Sequence, residues 1–367
     1  MFRKNLQLQF LTTLLVVAGL FSCNNASEPT AQKPVVNEIR PVWSLEKAAN
    51  WYSQHKWIVG ANFLPSTAIN QLEMWQAETF DTATINRELG WASSIGMNTM
   101  RVYLHSKAWE QDSSGFLQRM DTYLAIADAH KIKTIFVIFD DVWNKEPKTG
   151  KQPDPKPGTH NSGWVQDPGD PYHKDSTLFP ALENYVIAVI SRFATDKRVL
   201  LWDLYNEPGN SGKKNSSLPL LKNVFTWART VNPDQPLSAG VWDWNFEELN
   251  EFQVANSDIL TYHNYEAADW HKRVVQLLKM HGRPMICTEY MARTRNSLFS
   301  TILPLLKEQQ VGAINWGLVA GKSNTIYAWD TPVPDGSEPK LWFHDIFRKD
   351  GSPFSKDEID LIKNLTQ

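Results

Sequence analysis

The sequence is poor in cysteine. Cys23 and Cys287 are the only cysteines in 367 residues, so the disulfide framework that supports many small secreted domains is excluded. A metal site built from cysteine thiolates is excluded for the same reason. The fold must therefore rest on an apolar core, and apolar residues, at 42% of the chain, are frequent enough to form one.

The sequence also lacks a strong charge of either sign. The formal net charge is −3 and no stretch is strongly basic, so nothing favours nucleic acid or an anionic membrane surface as a partner. No glycine-rich phosphate-binding turn follows the first predicted strand, which argues against a nucleotide cofactor. Because His160, His173 and His271 show no metal-ligand spacing, we expect neither a metal nor any other cofactor.

The N-terminal segment is typical of a targeting signal. A short basic region precedes an apolar run, residues 11–21, which is too short to span a bilayer as a helix. The run ends in Leu-Phe-Ser-Cys, which resembles a bacterial lipobox. We therefore expect a signal peptide over residues 1–22, lipidation of Cys23 and a polar tether over residues 23–40. This predicts an exported bacterial lipoprotein, in the outer membrane or periplasm, that meets a membrane only through its lipid. The alternative is an ordinary signal peptide with an incidental cysteine.

Residues 41–367 alternate between strand-like and helix-like stretches. Short apolar runs lie between amphipathic stretches whose apolar residues recur at helical spacing. The predicted strands cover residues 57–63, 97–104, 132–139, 199–205, 237–242, 259–263, 285–288 and 311–316. Alternation with helices implies parallel strands, and eight such units in a single domain predict a closed (β/α)8 barrel, the TIM barrel of the α/β class. An open doubly wound sheet is the alternative.

One connection is unusually long. Residues 141–177, between the third strand and its helix, are rich in Pro, Gly, Asp and aromatic residues. Loops of this length are generally functional or disordered. Trp143 and Trp164 favour an ordered lid or cleft wall, and we expect both rings to bind substrate, because pyranose faces are apolar enough to stack on indole. A proline-rich spacer is the alternative.

The candidate catalytic residues follow from the barrel prediction. The active site of such a barrel lies at the C-terminal ends of its strands, where polar residues interrupt apolar runs. The candidates are Arg101, Asp140, Asp141, Asn206, Glu207, His263, Glu289 and Trp316. Glu207 ends the fourth strand and Glu289 the seventh, so we expect them on nearly opposite walls of the mouth. Cleavage of a glycosidic bond requires two carboxyl groups facing each other across the anomeric carbon.

Cys287 shares strand parity with Glu289, so we expect its small apolar side chain inside the barrel.

The motif Asn-Glu-Pro at residues 206–208, with Glu289 after the seventh strand, resembles clan A of the glycoside hydrolases, which contains the family 5 cellulases and mannanases. The resemblance covers nearly the whole chain after residue 40. The matching positions are Arg101, Asn206, the acid/base Glu207, His263, Tyr265, the nucleophile Glu289, and Trp316 as a sugar platform. It implies retention of anomeric configuration through a covalent glycosyl-enzyme.

The resemblance assigns a role to each polar side chain. Glu289 attacks in its ionised form, with Arg101 as the cation that stabilises the carboxylate and Tyr265 as a further donor. Glu207 must start protonated, which requires partial burial and the negative field of Glu289. Asn206 would bind the sugar 2-hydroxyl, a contact that strengthens towards the transition state.

The expected function is therefore a retaining β-glycoside hydrolase with endo preference, of the endo-β-glucanase, mannanase or xylanase type. One alternative is an exo-acting β-glycosidase, mannosidase-like or galactosidase-like. The other is a non-catalytic surface lipoprotein that binds glycans, which is disfavoured because Glu207 and Glu289 are both intact. The choice among β-1,4-glucan, mannan, xylan and β-1,3-glucan stays open.

Overall fold

The computed structural model describes residues 39–367. The predicted signal peptide, Cys23 and the predicted tether up to residue 38 lie outside the described residues. Within the described part, no helix is both long and apolar enough to cross a membrane. The start of this part already belongs to the folded unit, because Arg40 is buried and forms an ion pair with Asp258.

Eight parallel strands form one sheet at the predicted places. They are β1 (Val59–Asn62), β2 (Thr99–Tyr103), β3 (Lys133–Asp140), β4 (Val199–Asn206), β5 (Leu237–Ser238), β6 (Leu260–His263), β7 (Met285–Glu289) and β8 (Gly312–Asn315). Their order is β5-β4-β3-β2-β1-β8-β7-β6. A bridge between Val241 and Tyr262 joins β5 to β6, with the Val241 amide donating to the Thr261 carbonyl at 3.1 Å. The predicted barrel is therefore confirmed and the open sheet is wrong; β5 alone is much shorter than predicted.

Helices cover the outside of the barrel. They are α1 (Leu45–Ser53), α2 (Gln71–Trp75), α3 (Thr82–Ser94), α4 (Ser106–Gln111), α5 (Ser113–Ala129), α6 (Phe179–Phe193), α7 (Leu218–Val231), α8 (Glu247–Asn256), α9 (Ala268–Lys279), α10 (Phe299–Glu308) and α11 (Lys356–Thr366). The predicted stripes are buried: Leu182, Val186, Val189 and Phe193 of α6 all face the sheet side, as expected for an amphipathic helix on a core. The short helices α1, α2 and α4 were not predicted.

The interior of the barrel is apolar at its floor, the N-terminal end of the strands. Ile135, Ile286 and Ile314, from three different strands, pack there with Trp43 and with α1. The side chain of Ser44 caps α1 by accepting from the Lys47 amide at 3.1 Å. A capped helix thus closes the floor, and the polar part of the interior lies at the other end, the mouth.

Cys287 does not point into the barrel, contrary to the prediction. It packs in the layer between strands and helices, beside Tyr262, whose hydroxyl lies 2.9 Å from Nε2 of His271 on α9. The pairing of β6 with β7 shifts by one residue between Cys287 and Glu289. Such a bulge reverses the alternation of faces, so the two side chains lie on opposite sides of the sheet.

Candidate active site

Two carboxyl groups face each other at the mouth. Glu207 directly follows β4 and Glu289 ends β7, as predicted. One oxygen of each carboxyl group and a ring nitrogen of His263 all lie within 4.8 Å of one another. Both side chains are largely buried, with exposed fractions of 12% for Glu207 and 5% for Glu289.

The backbone at Glu207 is strained. Its φ is 45°, in the left-handed region that non-glycine residues rarely adopt. The turn is held from both sides, because the Asn210 amide donates to the Glu207 carbonyl at 3.0 Å and the Gly209 amide donates to Asp141 Oδ2 at 2.8 Å. Strain of this kind persists where the surroundings impose it, and it is common at functional sites.

The carboxylate of Glu289 is surrounded by donors. Arg101 Nη1 donates to its Oε1 at 2.8 Å, the Tyr103 hydroxyl donates to the same oxygen at 2.8 Å, and the Tyr265 hydroxyl donates to Oε2 at 2.7 Å. Arg101 is fully buried and its Nε also donates to Asp203 Oδ2 at 2.9 Å. A buried cation and two hydroxyl groups therefore stabilise Glu289 as an anion.

Glu207 has the opposite environment. Burial is the largest influence and raises the pKa of Glu207 to about 7. The hydrogen bond from Asn210 Nδ2, at 2.5 Å, and the charge of Arg101 act against this shift, whereas Asp243 and Asp141 add to it. Glu207 is therefore largely protonated below about pH 7 and can donate a proton.

His263 lies between the two glutamates as a neutral ring. Burial lowers the pKa of His263 to about 4, against the raising effect of Glu289. Its Nδ1 is 2.8 Å from Glu207 Oε1 and 3.4 Å from Glu289 Oε2. Because Nε2 has no partner among the described residues, the tautomer protonated at Nδ1 satisfies more contacts. His263 thus positions both carboxyl groups.

The amide of Asn206 has a fixed orientation. Its Oδ1 accepts from Arg101 Nη2 at 2.7 Å and lies 3.1 Å from the Tyr103 hydroxyl oxygen, and its Nδ2 donates to Asp140 Oδ1 at 2.9 Å. Asp140 also accepts from Trp164 Nε1 at 2.6 Å. Since these contacts commit one hydrogen of the Asn206 amide, the second is left to bind a ligand in the cavity that Asn206 lines.

The glutamates open into a cavity of about 430 Å³, within the range of small-molecule sites. Aromatic rings form much of its lining, and they are Trp143, Trp164, Trp242, Tyr265, Trp316 and Trp329. Trp164 is 3% exposed and packs edge-on against Trp316, whereas Trp143 is 39% exposed at the rim. Apolar ring faces beside a few polar groups suit the apolar faces and polar rims of sugars.

Two loops close one side of the mouth. The segment 141–177, after β3, contacts the segment 316–344, after β8; we call this pair the β3–β8 wall. The Asn161 amide donates to the Ser323 carbonyl at 2.8 Å, and the Val333 amide donates to the Gly158 carbonyl at 2.9 Å. A Cβ on Gly158 would lie 1.6 Å from the Val333 carbonyl oxygen, so the two backbones are in direct contact.

All the predicted site residues meet at the mouth. The lining of the cavity includes Asn206, Glu207, Tyr265, Glu289, Trp143, Trp164 and Trp316, while Arg101 and His263 contact the glutamates from below. Tyr103, Asp203, Trp242, Trp329, His160 and His344 were missed as site residues. Asp203 had a readable signal, a charge inside an apolar strand; the others lie in loops or look like ordinary aromatic core residues.

Part of this site has the geometry of a metal site. Among the described residues, Glu207, His263 and Glu289 form a cluster with metal-ligand distances. Two carboxylates and an imidazole are ligands that Zn²⁺ accepts. An ion held there would occupy both carboxyl groups, so metal binding and acid–base work by this pair exclude each other.

A family model matches the chain. The model described as Cellulase (glycosyl hydrolase family 5) matches residues 61–322, which include both glutamates and every strand except the start of β1. Comparison with curated proteins gives no match.

Solved structures share the fold at low sequence identity. The endo-1,4-β-mannanase of Rhizomucor miehei is 15% identical, with a TM-score of 0.56, over 84% of this chain and 94% of that one. An exo-β-1,4-mannosidase of an Opitutaceae bacterium is 16% identical, with a TM-score of 0.57, over 85% and 59%. A family 5 protein of Streptomyces cattleya in complex with Manβ1-4GlcNAc is 10% identical, with a TM-score of 0.57, over 85% and 80%.

Proposed function

This chain belongs to glycosyl hydrolase family 5 and is an O-glycosyl hydrolase, and from that premise we propose that it cleaves β-linked glycosides with retention of anomeric configuration. Glu289 is the nucleophile and Glu207 the acid/base. The observation that carries this proposal is the narrow gap between the two carboxyl groups, since one oxygen of Glu207 and one of Glu289 lie no more than 4.8 Å apart. Retaining pairs are about 5–5.5 Å apart, and inverting pairs about 6.5–9.5 Å because a water must fit between them.

The reaction proceeds in two displacements. In the first, Glu289 attacks the anomeric carbon while Glu207 gives its proton to the leaving glycosidic oxygen, so that one C–O bond forms and one breaks. In the second, Glu207, now ionised, removes a proton from water; the water oxygen attacks the same carbon and releases Glu289. The sum is the addition of one water molecule across the glycosidic bond.

The surrounding contacts support these roles. Arg101, Tyr103 and Tyr265 hold Glu289 with its oxygens fixed, and burial keeps Glu207 protonated to about pH 7. The free amide hydrogen of Asn206 is available for the sugar 2-hydroxyl, a contact that stabilises the oxocarbenium-like transition state. Each group is in place before substrate binds, which is the basis of electrostatic preorganisation.

We propose β-1,4-linked mannosides as the first substrates to test. The basis is that the fold neighbours include an endo-mannanase, an exo-mannosidase and a protein in complex with Manβ1-4GlcNAc. β-1,4-Glucan, xylan and β-1,3-glucan complete the panel.

Trapping the intermediate tests the mechanism. Incubation with a 2-deoxy-2-fluoro-β-mannosyl fluoride, or the corresponding glucosyl reagent, should add one sugar mass to the peptide carrying Glu289, and proton NMR should show the β-anomer forming first. Glu289→Gln and Glu207→Gln should each reduce kcat by about 10⁴-fold or more, the scale of losing an enzyme nucleophile or its proton donor. Glu266→Gln is the matched control, because this exposed carboxylate pairs with Arg295.

The outcomes separate the alternatives. An α-anomer as first product would refute retention, and a label on another residue would refute the role of Glu289. If the whole panel is left uncut and the three variants behave alike, the glycan-binding lipoprotein is the better description.

We also propose that the chain is exported and lipidated at Cys23. The support is the apolar run over residues 11–21 that ends at this cysteine. Expression with a labelled fatty acid should label the wild type and leave Cys23→Ser unlabelled and in the soluble fraction. Equal membrane retention of both forms would contradict lipidation.

A further inference from the structure

The mouth of the barrel is closed on one arc and open on the other. β3 and β8 are separated in the sheet by β2 and β1, so the β3–β8 wall spans that arc. The connections after β4, β5 and β6 cover only residues 207–217, 239–246 and 264–267, far less than the segment 141–177. The cleft is therefore walled over β1 and β2 and low on the opposite side.

The position of the acid/base decides which half of a substrate meets the wall. Because Glu207 must protonate the leaving oxygen, the leaving group lies on its side, near Asn210 and Trp242, where the connections are short. The sugar attacked by Glu289 then lies over Trp316, towards the wall. The wall thus limits the glycone end; at the leaving-group end it reaches the β4 connection through Trp143, whose amide donates to Ser211 Oγ at 3.1 Å, and the connections there are short.

The wall fills the space behind that sugar. Trp164 packs edge-on against Tyr103 and Trp316, with ring centroids 5.0 Å and 5.5 Å away. Asn70 Nδ2, before α2, donates to the Gly163 carbonyl at 2.7 Å, which joins a third loop to the wall. A polysaccharide could continue past Trp316 only if the backbone contacts between the two loops of the β3–β8 wall opened.

His160 places a hydrogen-bond acceptor in the cavity, where its ring packs between Trp143 and Trp329 of the β3–β8 wall. The ring lines the cavity, and its Nδ1 lies 2.8 Å from the Tyr327 carbonyl oxygen, so Nδ1 carries the hydrogen. Burial lowers the pKa of His160 to about 4, and the neutral ring leaves a lone pair on Nε2, which has no protein partner among the hydrogen bonds of the described residues. A hydroxyl group can donate to it, and an ether oxygen cannot.

We propose that the site admits a single glycone sugar and that His160 Nε2 accepts a hydroxyl group of the non-reducing terminal residue, so that the enzyme removes sugars from chain ends. This inference rests on the proposed function. An internal sugar of a β-1,4 chain has no free hydroxyl at the linked oxygen, and its next residue would collide with the β3–β8 wall.

The test uses a β-1,4-manno-hexaose labelled at its reducing end, together with the same hexaose methylated at the terminal 4-hydroxyl. If another polymer of the panel is the better substrate, its hexamer replaces the mannan one. We expect the labelled pentamer as the first product, free monosaccharide in equal amount, and cleavage of the capped hexamer at least about 100-fold slower. On polymer, reducing ends should appear without a rapid fall in viscosity.

His160→Ala tests the residue itself. One lost neutral hydrogen bond is worth about 0.5–1.5 kcal/mol, so kcat/KM for the free hexamer should fall by about 2- to 13-fold. The discrimination between free and capped hexamers should shrink with it, which a merely structural change would not cause. His281→Ala, an exposed histidine remote from the cavity, is the control and should leave both values unchanged.

Failure of this inference is distinct from failure of the proposed function. Labelled dimers to tetramers among the earliest products, or equal rates on capped and free hexamers, would overturn the chain-end preference while leaving the hydrolase intact. An unchanged ratio in His160→Ala would overturn the role of His160 alone. No cleavage of any panel member would refute the hydrolase and, with it, this inference.

Discussion

The floor and the mouth of the barrel are built from the same strands, but they differ in polarity and in what they contribute to stability. At the floor, Ile135 and Ile286 pack against the apolar residues around α1. At the mouth, the same strands end in two buried carboxyl groups: Asp140 accepts from amide and indole groups, and Glu289 accepts from a guanidinium and two hydroxyl groups. The strands thus carry stability at one end, and the other end keeps charged groups out of water at a cost in stability.

The contrast explains why the site is precise. Burying charged groups is expensive unless they are paired and hydrogen-bonded. Arg101 meets this requirement by contacting Asp203, Glu289 and Asn206 at once. The side chains can therefore satisfy all these contacts in very few conformations. In the observed conformation, the carboxyl groups of Glu207 and Glu289 face each other across a gap of the size of one sugar ring.

Breaking the mouth network should have the largest effect. Arg101→Met leaves Asp203 and Glu289 buried without their cation, which should lower the free energy of unfolding by about 3–5 kcal/mol. Loss of the fixed Glu289 should also lower kcat by at least about 10³-fold. Urea unfolding and turnover of an aryl β-glycoside measure the two effects. Arg101→Lys, which keeps the charge but not the multiple contacts, should be intermediate; wild-type kcat in either variant would contradict this role.

A floor substitution should separate stability from activity. Ile135→Ala removes buried apolar volume and should cost about 2–5 kcal/mol of stability. At a temperature where the variant stays folded, kcat and KM should equal those of the wild type. A fall in kcat comparable with that of Arg101→Met would mean that floor and mouth are coupled, and it would contradict the separation of stability from activity.

A buried carboxyl group outside both regions should show what burial alone does. Burial raises the pKa of Glu88 on α3 to about 7, although Ser66 donates two hydrogen bonds to it. The folded protein therefore holds this proton where the unfolded chain has lost it. The stability that Glu88 contributes is present below about pH 4.5 and is lost as pH rises through 7.

Glu88→Gln should flatten that pH dependence. Between pH 5 and 8 the wild type should lose up to about 3 kcal/mol more stability than the variant, as measured by urea unfolding at several pH values. Parallel curves would contradict the raised pKa. Activity should be unchanged, which distinguishes Glu88 from Glu207, whose pKa is raised to a similar value inside the cavity.

The smallest expected effect concerns the pH profile. The hydrogen bond from Asn210 lowers the pKa of Glu207 against the raising effect of burial. In the proposed mechanism the acid form of Glu207 is the active one, so kcat/KM should fall as pH rises through about 7. Asn210→Ala removes the donor and should move this alkaline limb upward by about 0.5–1 pH unit, equivalent to one hydrogen bond. A downward shift would contradict the assignment.

Much of the fold could be predicted because the strands and helices follow from the spacing of apolar residues along the chain. The stripe of α6 and the apolar runs of the strands are local patterns, and counting eight of them suffices for a barrel. The prediction that was wrong, the direction of the Cys287 side chain, depends on a contact between distant segments of the chain. The bulge between Cys287 and Glu289 depends on pairing with β6, and no pattern within β7 reveals it. The short helix α1 did leave a signal, the capping Ser44, that the prediction did not use.

The site was predictable to the extent that strand ends carry it. Glu207, Glu289 and Arg101 are charged residues in or beside apolar runs, where a charged side chain is expected only if it has a structural or functional role. Trp329 and His160 come from two different loops, after β8 and after β3, and their rings pack together in the folded chain; their distance along the chain hides this contact from the sequence. Tyr103 lies within the predicted strand over residues 97–104, where an aromatic ring is ordinary, and only its inward position makes its hydroxyl a donor to Glu289.

The close contact at Gly158 bears on how such a protein can change over generations. This residue has a φ of 59°, and a side chain there would enter the Val333 carbonyl. Any larger residue would therefore push the two loops apart in one step rather than by degrees. A lineage that alters its pattern of products through this position would do so abruptly, and a library randomised at a single codon would sample that transition directly.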